Sequence, residues 1–236
     1  MLDATIGEIV AENFRTASVF SKFGIDFCCK GDRTIQQACE KKSVDMQELI
    51  TKLTEAIAEK DENIDFKSWP LDLLADYIEK VYHRYIREKS PSLLKFLDKV
   101  QKIHGDRHPE LIEVYSLFSE SVIELEAHLQ KEEKILFPFI RIMNEAKINN
   151  LPYETPHFGT VENPITMMKH EHDVEGERFH KIAELTQNYT PPAEACNTYR
   201  VSFAMLDEFE QNLHKHIHLE NNILFPQAIV MESTMK

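Results

Sequence analysis

Apolar positions recur first in short runs and then in long ones. Ile6, Ile9, Val10, Phe14, Val19, Phe20 and Phe23 fall at helical spacing and predict one or two short amphipathic helices, stopped by Gly24. Thr34 with Gln37 has the form of a capping box and opens another short helix through Cys39. Met46, Leu49, Ile50, Leu53 and Ile57 form a third stripe, and the polar run Glu59 to Asn63 reads as a linker. These residues predict a small helical domain over 1–60, whose core is marginal by itself.

After Trp69, which reads as an anchor at the domain junction, the pattern lengthens and predicts a second domain over 70–236. Pro70 and Pro91 bracket a helix carrying His83, and a shorter helical stretch ends near Gly105. Pro109 sits in the first turn of the next helix, which runs through His128 to about Ala146. A connection from Asn149 to Asn163 leads to a helix that begins at Pro164 and carries His172. Pro191 and Pro192 break the chain again before a last long helix with His216 and Glu220. Pro138 and Pro226 are expected to kink their helices.

The two halves repeat. His128 to Pro138 and His216 to Pro226 both read H-x-x-x-E-x-x-I-L-F-P. His83 and His172, like the paired His, Glu and Pro positions of the motif, stand roughly 88 residues apart. The fold class is therefore all-α: a duplicated helical hairpin makes a four-helix bundle, with the small helical domain in front of it. Each hairpin offers one His from its first helix and a His–Glu pair from its second.

Helix faces select among the histidines. Leu111, Val114, Phe118, Leu125, His128, Glu132, Ile135 and Phe139 make one apolar series, and Phe203, Leu206, Phe209, Leu213, His216, Glu220 and Ile223 make another. In both, the His and the Glu occupy core positions. His214 and His218 fall with Asp207, Gln211 and Asn222 on the face expected to be wet. Ile165, Met168, His172, Phe179 and Ile182 turn His172 rather than His170 inward. The stripe Leu74, Ile78, Val81, Tyr85 does not centre on His83, which is chosen by the repeat. A single inward His is usually a core residue satisfied by a hydrogen bond. An inward Glu is costly unless it is paired or bound to a metal.

Imidazole and carboxylate together suit iron, manganese or zinc, and two ions held in a helical bundle favour iron or manganese. Six protein ligands for two ions leave positions open for a small molecule. The remaining bulk properties mostly exclude. A net charge of −13 argues against nucleic acid and anionic membrane as partners. No signal peptide and no apolar run of membrane-spanning length is read. Four cysteines, two of them adjacent, do not form a disulfide framework, and a reducing cytoplasm is the simplest compartment. Cys39 and Cys196 read as buried, and His104 and His108 as helix caps around a Gly-Asp turn.

At these residues the chain resembles the hemerythrin-like di-iron proteins, and within them the family for repair of iron centres. The resemblance runs over nearly the whole chain. It includes Asp26-Phe27-Cys28-Cys29-Lys30-Gly31, Asn163-Pro164-Ile165, Glu171-His172-Asp173 and the twin I-L-F-P motifs. It implies two non-haem iron ions, oxo- or hydroxo-bridged, bound by His83, His128, Glu132, His172, His216 and Glu220, with both Glu residues bridging. It also implies restoration of iron-sulfur clusters damaged by nitric oxide or oxidants, with damaged iron-sulfur proteins as clients. Oxygen-carrying hemerythrins have one more His; here Met168 stands four residues before His172, which argues against reversible oxygen carriage. The resemblance gives Cys28 and Cys29 a thiol, redox or iron-capturing role.

Three functions share this ligand set. The first is repair by supply of iron, the second nitric oxide reduction, and the third binding or sensing of O2 or NO. A homodimer is compatible with all three. Glu124, one turn before His128, is expected to face inward and, with Glu171, to line a polar path to the metals.

Overall fold

The computed structural model describes residues 4–58, 64–152 and 155–235. The expected linker Glu59 to Asn63 lies outside the described residues, as does part of the Asn149 to Asn163 connection. Among the described residues the chain is helical, apart from turns and one isolated bridge between Thr5 and Thr34.

Helix α1 spans Ile6–Glu12, α2 Thr16–Lys22, α3 Ile35–Lys42 and α4 Met46–Ala58. Both α1 and α3 open on complete capping boxes, Thr5 with Glu8 and Thr34 with Gln37. Gly24 follows α2 with φ +63°, a conformation that costs glycine little. Helix α5 comprises Leu71–Tyr77, a π-helical stretch Ile78–His83 and Arg84–His104. Helix α6 comprises Glu110–Lys131, a π stretch Glu132–Leu136 and Phe137–Asn149. Helix α7 spans Glu162–Leu185. Helix α8 comprises Asn197–Leu219, a π stretch Glu220–Leu224 and Phe225–Ser233.

Two compact units emerge. One contains Met1–Ala75, Ile140–Val161 and His214–Lys236; the other contains Asp76–Phe139 and Glu162–Leu213. The second unit is the four-helix bundle, with one segment each from α5, α6 and α8 and all of α7. Leu93, Leu97, Val114, Phe118, Phe179, Ile182, Phe203, Leu206 and Phe209 fill its core. Phe118, Phe179 and Phe209 pack in mutual ring contact, the last two stacked at 5.7 Å between centroids. In the first unit Ile6, Val10, Phe20, Ile35, Leu49 and Leu53 are buried together with Phe66, Leu224 and Phe225. Trp69 packs its ring on Phe66 at 4.9 Å.

Two expectations about helix geometry are corrected. Pro91 does not end a helix: α5 runs through it to His104. Pro91 is exposed, so the carbonyl that its missing N–H leaves unserved can face water. Pro138 and Pro226, expected to kink their helices, each follow a π stretch, a usual site of such bends. The N–H of Phe137 bonds the carbonyl of Glu132, and that of Phe225 bonds the carbonyl of Glu220, five residues back. Val81 and Ile135, assigned inward, are about 42% exposed. Both lie within π stretches, where one extra residue per turn rotates the following positions.

Candidate metal centre

The π stretch of α5 brings His83 inward. Ile78 and His83 are both fully buried, yet they are five residues apart, one more than an α register allows. The π turn supplies the difference. On α6, His128 is buried and Glu132 fully so, and Glu132 opens its own π stretch. Glu132 Oε2 lies 3.5 Å from His83 Nε2 and 3.4 Å from His128 Nε2. His172, buried on α7, places its Nε2 3.1 Å from His128 Nε2. His128, Glu132 and His172 each offer a ligand atom within 4.8 Å of the others.

These separations fit a cation. Two ligand atoms about 2.1 Å from one ion and cis to each other stand about 3 Å apart. Two imidazole nitrogens at 3.1 Å, beside a buried carboxylate, meet that requirement. In the first unit, His216 and Glu220 repeat the pairing: both are buried, with His216 Nε2 2.9 Å from Glu220 Oε1.

The other nitrogen of two imidazoles is fixed by carboxylates. His83 Nδ1 donates to Glu133 Oε1 at 2.8 Å, and His128 Nδ1 donates to Glu171 Oε2 at 2.8 Å. Each bond selects the tautomer whose Nε2 lone pair faces Glu132. Arg87 holds Glu133 through Nη1 at 2.7 Å and Glu126 through Nε at 2.8 Å. Burial pushes the Glu133 carboxyl up, but the hydrogen bonds from Arg87 and His83 outweigh it and hold it below its ordinary value. Glu171 is pushed down to about 2, first by the hydrogen bond from His128 and then, against burial, by Lys131. Glu171 thus orients the His128 imidazole. Glu133 and Arg87 were missed, although Glu133 directly follows Glu132.

Glu124 does not face inward. Its side chain is 58% exposed and accepts from Arg178 Nη2 at 2.7 Å. The buried carboxylate on this side is Glu175, bonded by Ser121 and Arg178 and pushed up by burial. Its signal was legible: position 175 fills the gap in the series Ile165, Met168, His172, Phe179, Ile182.

His214 and His218 are not on a wet face either. His214 is half-buried, with its ring 6.1 Å from that of Phe27. His218 is fully buried between the rings of Phe14 and Phe27, and burial pushes it down to about 3. His218 Nδ1 lies 3.0 Å from Asn222 Nδ2, which also reaches the carbonyls of Phe27 and Cys28. A Cβ on Gly7 would stand 2.5 Å from Asn222 Oδ1, so a larger residue there would displace the Asn222 side chain. This face of α8 seats the segment carrying the cysteine pair. Within that segment Cys28 is buried and Cys29 half-buried, with sulfurs 3.8 Å apart. Cys39 is buried as expected, but Cys196 is exposed, its sulfur 3.3 Å from His104 Nε2.

The fold and these clusters define a hemerythrin-like, cation-binding helical protein. Residues 75–228 match the family described as hemerythrin HHE cation binding domain, and residues 2–57 match ScdA_N, described as a domain of unknown function. The iron-sulfur cluster repair protein YtfE of Musicola paradisiaca is 34% identical over 96% of both chains. The probable iron-sulfur cluster repair protein of Haemophilus influenzae is 36% identical over 89% of this chain and 90% of its own. The YtfE protein of Yersinia pseudotuberculosis is 34% identical over 95% of this chain and 96% of its own. The chain belongs to the family of iron-sulfur cluster repair proteins. No helix among the described residues is long and apolar enough to cross a membrane.

Proposed function

We propose that His83, His128, Glu132, His172, His216 and Glu220 hold two non-haem iron ions, with Glu132 and Glu220 bridging. With this centre the protein restores iron-sulfur clusters damaged by nitrosative or oxidative stress, by supplying iron. The observation that carries this reading is Glu132, a fully buried carboxylate 3.5 Å from one imidazole nitrogen and 3.4 Å from another. Such a group is costly in a core unless cations share its charge. His216 and Glu220 repeat the motif, and the hemerythrin match spans both copies. The names of the relatives support the repair role.

Bound iron would supply a change of oxidation state and coordination positions that the protein leaves open. The chain's own part is to orient and to shield. Glu133 and Glu171 hold the Nδ1 protons of His83 and His128, which keeps each Nε2 available. Burial of the ligands keeps bulk water from them. The clients are damaged iron-sulfur proteins in the cytoplasm, and NO or O2 reaches the same centre. The six proposed ligands all lie in residues 70–236, the proposed metal domain, and the cysteine pair lies in residues 1–60, although the last part of α8 groups with the N-terminal segment.

The test uses the full chain, purified and reduced without oxygen. Metal analysis should give about two irons per chain, and mixing with a cluster protein damaged by nitric oxide should restore its clusters as this iron is lost. Iron below one per chain, or clusters that stay damaged, would overturn the proposal. Sustained turnover of nitric oxide without iron transfer would assign the reductase function instead.

A further inference from the structure

The cysteine pair does not stand alone. Asp26 Oδ1 accepts the backbone N–H of Cys28 at 3.0 Å and of Cys29 at 2.9 Å. Cys28 Sγ lies 3.3 Å from the same oxygen and 3.8 Å from Cys29 Sγ. The carboxylate and both sulfurs lie within 4.8 Å of one another. The backbone of this turn is pinned from outside, since the side-chain amides of Asn221 and Asn222 both reach the Cys28 carbonyl at 3.4 Å. Gly31 admits the close return of the chain: a Cβ there would stand 2.6 Å from the Phe27 carbonyl. Cys28 is buried and Cys29 half-buried, so the group has one sheltered sulfur and one that a solute can reach.

We propose that Asp26, Cys28 and Cys29 form a second metal site, for a single thiophilic divalent cation such as Zn2+ or Fe2+. The spacing is the argument. Two thiolates bound about 2.3 Å from one tetrahedral ion stand about 3.8 Å apart, the separation the two sulfurs already have. Adjacent residues need an outside constraint to aim both side chains at one point. Asp26 gives it by gathering both N–H groups on one oxygen, and its second oxygen remains for the ion. Two sulfurs select soft or borderline cations over magnesium or calcium. The three ligands leave a fourth tetrahedral position for water or an incoming ligand, so the site is built for exchange rather than permanent structure. Binding converts two thiols to thiolates: M2+ displaces two protons, two metal–sulfur bonds form, and no electron is transferred. The site is independent of the six bundle ligands and does not rest on the repair function.

The experiment uses full-length protein with its bundle already metallated, kept reduced and anaerobic, and titrated with Co2+ as the spectroscopic probe. One equivalent should produce a thiolate-to-cobalt charge-transfer band, release about two protons and be displaced by Zn2+. Cys28→Ser and Cys29→Ser should each abolish that band. Asp26→Asn keeps an oxygen for the two N–H groups but loses the charge, and should weaken binding at least about tenfold with the helical circular dichroism unchanged. Cys29→Ser, at the half-buried position, is the variant that tests the site should Cys28→Ser fail to fold. A wild-type protein that gives no charge-transfer band in excess Co2+ overturns the proposal, as does a band that survives Cys29→Ser.

Discussion

The Glu171 carboxylate accepts the Nδ1–H of His128 at 2.8 Å, and Lys131 holds its other oxygen. This places Glu171 behind a proposed ligand rather than on a path to the proposed metal site. Glu171→Leu should therefore loosen iron by about 10- to 100-fold, the usual effect of removing such a partner. Glu171→Gln, whose amide oxygen can still accept, should lose less. Iron release to a chelator measures this, and equal release from Glu171→Leu and wild type would remove Glu171 from the positioning role.

His216→Ala and Glu220→Ala should each lose iron. His218→Ala should keep it, although His218 is as deeply buried. His218 packs between Phe14 and Phe27, so its removal opens a cavity and should cost about 2 kcal/mol of stability. His214→Ala should do little to either. Iron content beside thermal unfolding separates the two roles, and an iron-free but folded His218→Ala protein would contradict this assignment.

Glu210 makes a pH-dependent contribution. Burial first, then Asp207, raise its carboxyl to about 7, against the opposing pull of the nearby Tyr189 hydroxyl. Tyr189 itself sits in the left-handed region at φ +57°. A folded-state pKa above the unfolded value means the fold prefers the protonated acid. The associated stability is complete below about pH 4.5 and is lost as pH rises through about 7. At about 1.4 kcal/mol per unit, the loss is on the order of 3 kcal/mol. Glu210→Gln should flatten the stability profile over this range and be more stable than wild type at pH 8. Parallel profiles from denaturant unfolding would show that Glu210 is not the group responsible.

Burial of the proposed ligands was legible because they sit in the hydrophobic period itself. His128, His172, His216 and both Glu residues occupy positions where a core residue belongs, and all are buried. The repeat gave His83, which periodicity could not. A period of about 3.6 cannot see a π turn, and three π stretches contain His83, Glu132 and Glu220. The same blindness put Val81 and Ile135 inside. Glu124 failed for another reason. It lies four residues before His128, but Arg178 on α7 offers it a partner at the surface, and no local pattern reports a residue 54 positions away. His218 failed likewise. What covers its face of α8 is Phe14 and Phe27, about 200 residues earlier in the chain.

That last contact changes what truncation should do. The sequence division predicts that residues 70–236 fold and bind metal alone. The proposed ligands all lie after residue 70, so removing residues 1–69 should leave about two irons per chain. The removed segment, however, covers His218 with Phe14 and Phe27, and Asn222 bonds the carbonyls of Phe27 and Cys28. Each buried Phe is worth about 1.5–3 kcal/mol, and the newly exposed face of α8 would be apolar around His218. The truncated protein should therefore stay helical and metallated but unfold at lower denaturant, by several kcal/mol. His218→Lys in the truncated chain, which places a soluble group on that face, should recover solubility without changing the iron content. In the full-length chain the same change should be destabilising, because it buries a charge against two aromatic rings. Opposite effects of one substitution in the two backgrounds would identify the N-terminal segment as the cover of this face. The same sign in both would mean that the segment and His218 are energetically independent.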